Sequence, residues 1–142
     1  MVSKQKVLFV CTGNSCRSQI AEGLLNKMAA KYFEVYSAGS HPSRVHPSAI
    51  SVMKEINIDI SNHTSNSVVE YLNTGIDIVI TVCDNAKLAC PIFPQKTMEI
   101  HWSIDDPFGG WDEDEEHLTN FRKARTELQG HIKKFLNEME LS

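Results

Sequence analysis

The residues best suited to chemistry lie together near the amino end, in Cys11-Thr-Gly-Asn-Ser-Cys-Arg-Ser18. A short apolar run at residues 6–10 leads into this string. Residues 19–28 leave it with Ile20, Leu24, Leu25 and Met28 on one helical face. The string is therefore expected to be a loop between a strand and a helix, with Cys11 at the carboxyl end of the strand. Such a loop turns several backbone N–H groups toward one point, and the helix N-terminus adds partial positive charge. Gly13 lets the backbone approach a ligand closely. The planar fork of Arg17 suits two oxygens of a tetrahedral anion. The same field favours the thiolate of Cys11, the nucleophilic form, and Ser18 is placed to donate a hydrogen bond to it. Thr12, Gly13, Asn14, Ser15, Cys16, Arg17 and Ser18 are thus expected to bind an oxyanion that Cys11 attacks. An inert buried cysteine beside an ordinary helix start is the plainer alternative. The convergence of nucleophile, glycine, arginine and serine in one short string outweighs it.

The elements that must hold this loop follow along the chain. Residues 32–38 are aromatic and β-branched and read as a second strand, ended by Gly39 and Ser40. His41-Pro42 and His46-Pro47 mark a loop. Pro47 suits a first helical turn, with Ile50, Val52, Met53 and Ile56 as the apolar face. Residues 63–72 read as a short helix capped by Thr64, Ser65 or Asn66 and stopped at Gly75. Residues 76–82 form a third strand, nearly continuous in β-branched residues, as in a parallel strand covered on both faces. Residues 97–102 read as a fourth strand. From about Glu113, apolar residues recur at helical spacing from Leu118 to Leu136, with Gly130 as a point of weakness. The acidic residues 112–116 fit the first turn of this helix. Alternating strands and helices give an α/β class with helices on both faces of the sheet.

The chain has 142 residues, 42% apolar and 23% charged, with a net charge of −4. That is enough for one domain, residues 1–142, with a proper core. The acidic balance argues against nucleic acid as a partner. No run of 18 apolar residues occurs, so no membrane association is expected. Residues 1–6 run directly into a core strand, which leaves no signal peptide and implies a cytoplasmic location. There, the four cysteines (11, 16, 83 and 90) are expected to be free, metal-bound or catalytic rather than structural staples. They contain no CxxC pair, and the six histidines show no HxxxH spacing. His101 reads as a packed or hydrogen-bonded strand residue and Cys16 as a packed loop residue.

The Cys-X5-Arg-Ser pattern after a first strand resembles the low-molecular-weight tyrosine phosphatase fold. The longer string Val10-Cys-Thr-Gly-Asn-Ser-Cys-Arg-Ser-Gln19 is similar to the arsenate reductases built on that fold. Thr81-Val-Cys-Asp-Asn-Ala-Lys-Leu-Ala-Cys-Pro-Ile-Phe-Pro94 resembles the redox segment of the thioredoxin-coupled arsenate reductases. His101-Trp-Ser-Ile-Asp-Asp-Pro107 resembles the block that follows it. The likeness covers residues 5–40 and 76–107. It implies a three-layer α/β fold around four parallel strands in the order 2-1-3-4. The loops after Val10, Val82 and Trp102 then share the carboxyl edge of the sheet, where ligands bind. In that order, strands 1 and 3 lie about 4.8 Å apart. A Cys11–Cys83 disulfide is then geometrically plausible. Were residues 83–90 helical, Cys83 and Cys90 would stand about 10 Å apart and bridge only if the segment unwound.

The resemblance implies a relay of three thiols. Cys11 attacks arsenate, Cys83 attacks the adduct and releases arsenite, and Cys90 attacks Cys83, leaving a disulfide for thioredoxin. Asp106 is the matching general acid, preferred over Asp105, against the plainer alternative of an Asp-Pro turn. A monomer with no tightly bound cofactor is expected. Some of these reductases hold potassium, and Asn14, Glu22 and Ser37 match that pattern. Asn66, however, stands where an aspartate is expected, which weakens a hard-cation site. Phe108-Gly109-Gly110 is nearer the phosphatases, where an aromatic flanks the substrate ring. The rival readings are therefore a low-molecular-weight tyrosine phosphatase whose Cys83–Cys90 pair protects Cys11, and a non-catalytic anion-binding module. The latter has no use for Asp106. Thioredoxin is the expected reductant, with glutaredoxin–glutathione and other small thiols as alternatives.

Overall fold

The computed structural model describes residues 4–83, 91, 93 and 96–140. Four strands form one parallel sheet: β1 (Gln5–Cys11), β2 (Phe33–Gly39), β3 (Ile78–Thr81) and β4 (Met98–His101), in the order β2-β1-β3-β4. The helices are α1 (Arg17–Ala29), α2 (Pro47–Lys54) and α3 (Glu115–Glu138). The expected strand order and three-layer α/β architecture therefore hold. Val7, Leu8, Phe9 and Val10 are consecutive and fully buried, as a central strand covered on both faces requires. β1 pairs with β2 from Gln5↔Phe33 to Cys11↔Gly39 and with β3 from Val7↔Ile78 to Val10↔Thr81. This register brings Cys11 and the end of β3 to the same edge.

The third and fourth strands are shorter than the sequence suggests, yet the ladder runs on. The Val82 amide donates to the Val10 carbonyl and the Trp102 amide to the Thr81 carbonyl, each at 2.9 Å. The α1 face is also adjusted. Ile20, Leu24 and Leu25 are fully buried, but Met28 is 40% exposed and Ala29 closes the face instead. Helix α3 starts two residues late because Asp114 caps it, accepting from the His117 amide at 2.9 Å. It continues through Gly130, which is solvent-facing.

The short helix is the clearest correction. Only Val68–Tyr71 is helical, as a 3-10 turn. Its cap is Ser67, in a capping box with Glu70, rather than Thr64, Ser65 or Asn66. Those three residues are committed elsewhere. The Thr64 carbonyl accepts from Gln19 at 2.9 Å, the Ser65 hydroxyl donates to the Gly13 carbonyl at 3.1 Å, and the Asn66 amide donates to Asn14 Oδ1 at 2.8 Å. The segment is spent on holding the loop after β1.

Candidate active site

Cys11 is the last residue of β1 and Arg17 the first of α1. The loop between them is shaped through its carbonyls. The amides of Ser40, His41, Ser43 and His46 donate to the carbonyls of Cys11, Thr12, Gly13 and Ser15 at 2.8–3.2 Å. Gln19 Nε2 takes the Asn14 carbonyl at 2.9 Å. A trans peptide points its C=O and N–H in opposite directions. Binding five successive carbonyls from outside therefore turns the amides of residues 12–16 the other way. The N-cap residue Cys16 makes no side-chain cap bond, so α1 leaves its first amides without that partner. Asn14 takes the left-handed conformation, φ +48°, which asparagine tolerates. Gly39 is needed on the neighbouring strand, because a Cβ there would lie 2.5 Å from the Thr12 carbonyl oxygen and 2.8 Å from the Asn14 nitrogen.

The nucleophile sits in a directed network. Cys11 Sγ lies 2.8 Å from Ser18 Oγ, while Asn14 Nδ2 donates to Ser18 Oγ at 2.8 Å and to Ser37 Oγ at 3.0 Å. With Ser18 already accepting from Asn14, its own proton is available to the sulfur. Cys16 is a different species. Burial above all, then the neighbouring Cys11 and Asp106, push its thiol far above the ordinary range, with Arg17 opposing. It stays protonated and packs in the core, as expected.

Cys11, Thr12, Gly13, Ser15, Cys16, Arg17, Cys83, Asp105, Asp106, Phe108 and Trp111 line a cleft of about 540 Å³. Arg17 Nη1 donates to the Ile104 carbonyl at 2.9 Å, and Nη2 stands 3.7 Å from Asp106 Oδ1. Arg17 Nε is buried with no partner among the described residues, a donor fit for an anion. Asp106 is largely exposed and accepts from the Phe108 amide at 3.0 Å. Cys83 Sγ lies 3.4 Å from Thr12 Oγ1. Structure thus brings Cys11, the loop, Arg17, Cys83 and Asp106 together. Cys90 and most of the segment after Cys83 lie outside the described residues.

Asn14, Glu22 and Ser37 also meet, as a hydrogen-bonded chain behind the loop. Ser37 donates to Glu22 Oε1 at 2.5 Å, and His63 Nδ1 is 3.6 Å from the same oxygen. Burial raises the pKa of Glu22. Asn14 Oδ1 already accepts from Asn66, and Asn66 Oδ1 from Thr64 at 2.8 Å. Of Asn14, Glu22, Ser37 and Asn66, Glu22 alone is a carboxylate, and the lack of a second one makes a weaker fit to a hard cation such as potassium. Among the described residues no three His, Cys, Asp or Glu side chains group as metal ligands.

At the mouth of the cleft, sequence reasoning found Phe108 and missed Arg44, His46 and Trp111. Trp111 stacks on His46 with centroids 5.0 Å apart, Phe108 meets His46 edge-on at 5.5 Å, and the Arg44 guanidinium lies 4.1 Å over Trp111. Phe108 and Trp111 are 42% and 37% exposed. His46 read only as a turn marker before Pro47. Its partners stand more than sixty residues away, and no local pattern signals them. His101 is bonded as expected, its Nδ1 2.7 Å from Thr81 Oγ1.

A cysteine-ended strand, an amide-lined loop and an arginine opening a helix, all on a 2-1-3-4 parallel sheet, define a phosphatase-type oxyanion site. The family model for low molecular weight phosphotyrosine protein phosphatase matches residues 6–142, and the chain belongs to that family. The arsenate reductase of Halalkalibacterium halodurans is 42% identical over 134 residues, covering 94% of this chain and 96% of the relative. Among solved structures, an arsenate reductase in the oxidized state has a TM-score of 0.80 at 33% identity, over 94% of this chain and 98% of that one. The thioredoxin-dependent arsenate reductase of Corynebacterium glutamicum has a TM-score of 0.75 at 28% identity, over 97% of this chain and 63% of that one. Among the described residues, no helix is long and apolar enough to cross a membrane.

Proposed function

We propose that the protein is a cytoplasmic arsenate reductase that works by a three-thiol relay and is regenerated by thioredoxin. Relatives bearing that activity in their names support the reading. One observation carries it: the Cys83 sulfur lines the same cleft as Cys11, 3.4 Å from the Thr12 hydroxyl. Hydrolysis itself needs one nucleophile, whereas the relay needs a second thiol at this place.

The loop amides and Arg17 hold arsenate, and the Cys11 thiolate attacks arsenic. A sulfur–arsenic bond forms and an arsenic–oxygen bond breaks. The leaving oxygen takes a proton from Asp106 and departs as water. Arsenic is still pentavalent. The Cys83 thiolate then attacks the Cys11 sulfur. A disulfide forms, the electron pair of the sulfur–arsenic bond returns to arsenic, and trivalent arsenite leaves. The family resemblance supplies the last step. Cys90 attacks Cys83, the Cys11 thiolate is released, and a thioredoxin dithiol reduces the Cys83–Cys90 disulfide.

The test is NADPH oxidation with arsenate, thioredoxin and thioredoxin reductase, for wild type, Cys83→Ser and Cys90→Ser. Arsenate-dependent turnover in wild type, lost in both variants, is the expected result. Equal hydrolysis of an aryl phosphate by all three, with no arsenate turnover, would replace this reading with a phosphatase. That second reading is favoured by one observation, the half-open aromatic Phe108 at the cleft mouth.

A further inference from the structure

We propose that His46 is a positioning residue for proton transfer by Asp106, acting by clamping Gly110 and so the segment that carries this carboxyl. The proposal rests on Asp106 as the proton donor. His46 is fully buried between the oxyanion loop and the mouth. Its backbone amide donates to the Ser15 carbonyl at 3.1 Å, which ties it to the loop. Its ring spans the gap. Nδ1 accepts from the Ser48 amide at 2.9 Å and caps α2, so the ring proton resides on Nε2, which donates to the Gly110 carbonyl at 2.6 Å. Both bonds are satisfied together only by the neutral ring in this one tautomer.

Asp106 lies between two clamped carbonyls. On one side, Arg17 Nη1 holds Ile104; on the other, His46 Nε2 holds Gly110. Gly110 itself has φ +131°, a conformation that only glycine adopts readily. The two aromatic residues that flank the clamp, Phe108 and Trp111, rest on the His46 ring, and Phe121 of α3 packs against it at 4.6 Å. Burial keeps the ring neutral. His117 and Arg44 add to that effect, while the Gly110 carbonyl and Glu113 oppose it. Arg17 belongs to the anion site, so His46 is the one of the two anchors that touches no reacting group. It fixes where the acid stands while leaving the cradle to Arg17.

Two substitutions separate the two ring nitrogens. His46→Asn keeps an acceptor near Nδ1 and a good helix cap but cannot reach Gly110. His46→Gln keeps a donor near Nε2 and gives up the cap. Both are combined with Asp106→Asn, with thermal unfolding followed by circular dichroism as the check on folding. Arsenate-dependent NADPH oxidation and 4-nitrophenyl phosphate hydrolysis are measured in parallel. His46→Asn is expected to lower kcat about 10- to 100-fold, with KM changed less than about threefold. His46→Gln should stay within about threefold of wild type. In the Asp106→Asn background, His46→Asn should cost less than about twofold, because the group it positions is gone. A full loss in that background overturns the proposal, as does His46→Gln falling as low as His46→Asn. Asp106→Asn leaving both activities intact also overturns it, and that single variant shows the fault to lie with Asp106 as donor.

Discussion

The inner wall of the cleft is the oxyanion loop with Arg17, and the buried Asn14, Ser18 and Ser37 behind it spend their side chains on one another and on the chain around them. Phe108 and Trp111, at the mouth, are part-exposed and meet their neighbours through ring faces and edges. The inner wall is directional. Each hydrogen bond fixes an orientation, and an unmade one in a buried site costs about 1–3 kcal/mol. The mouth is held by stacking, which is broad in angle and adds only about 0.5–1.5 kcal/mol per pair beyond burial. A reacting thiolate needs its donors aimed, so chemistry belongs to the wall. Selection among ligands needs surface and shape, and this falls to the mouth.

That contrast can be broken or sharpened. The largest effect is expected at the wall. Arg17→Lys keeps the charge but loses the fork, and kcat/KM for arsenate should fall about 100- to 1000-fold. A fall below tenfold in steady-state assays would mean that charge alone suffices. Next comes Gly39→Ala, whose new methyl meets backbone rather than a flexible side chain. Urea unfolding should show a loss of about 1–3 kcal/mol, and arsenate turnover should drop with it. Retained stability would contradict the close approach of β2 to the loop. At the mouth, Phe108→Ala should raise KM for 4-nitrophenyl phosphate about tenfold while changing arsenate turnover less than about threefold. Equal effects on both substrates would erase the division between wall and mouth.

The smallest effect lies away from both regions. Glu55 is held at a pKa of about 2 by hydrogen bonds from Arg122 and Arg125. An unperturbed glutamate titrates near 4.5, so on acidification the unfolded chain takes this proton first. The stabilisation is whole above about 4.5 and is lost as pH falls toward 2. The pair is about a third exposed, so solvent screens it. Melting temperatures should fall through that window, and Glu55→Gln should flatten the slope slightly. An unchanged slope would assign the acid loss elsewhere.

The wall could be read from the chain because its parts are contiguous. Cys11, Gly13, Arg17 and Ser18 are neighbours in sequence, and the strand and helix that hold them are patterned on either side. The strand order followed from the family likeness of two short blocks. What escaped depends on distance. Ser67 caps the 3-10 turn only because residues 64–66 are drawn to the loop, and that pull comes from Gly13, Asn14 and Gln19. His46 reaches Gly110, 64 residues on. A histidine before a proline gives no hint that it will cap a helix with one nitrogen and hold a distant turn with the other.

The buried thiol inside the loop has a practical corollary. Cys16 keeps its proton through the neutral range, so a thiolate-seeking reagent such as iodoacetamide will pass it by. In a mass-mapping experiment on the native protein, adducts found within residues 11–18 therefore report on Cys11 alone. Two sulfurs five positions apart behave as one addressable label.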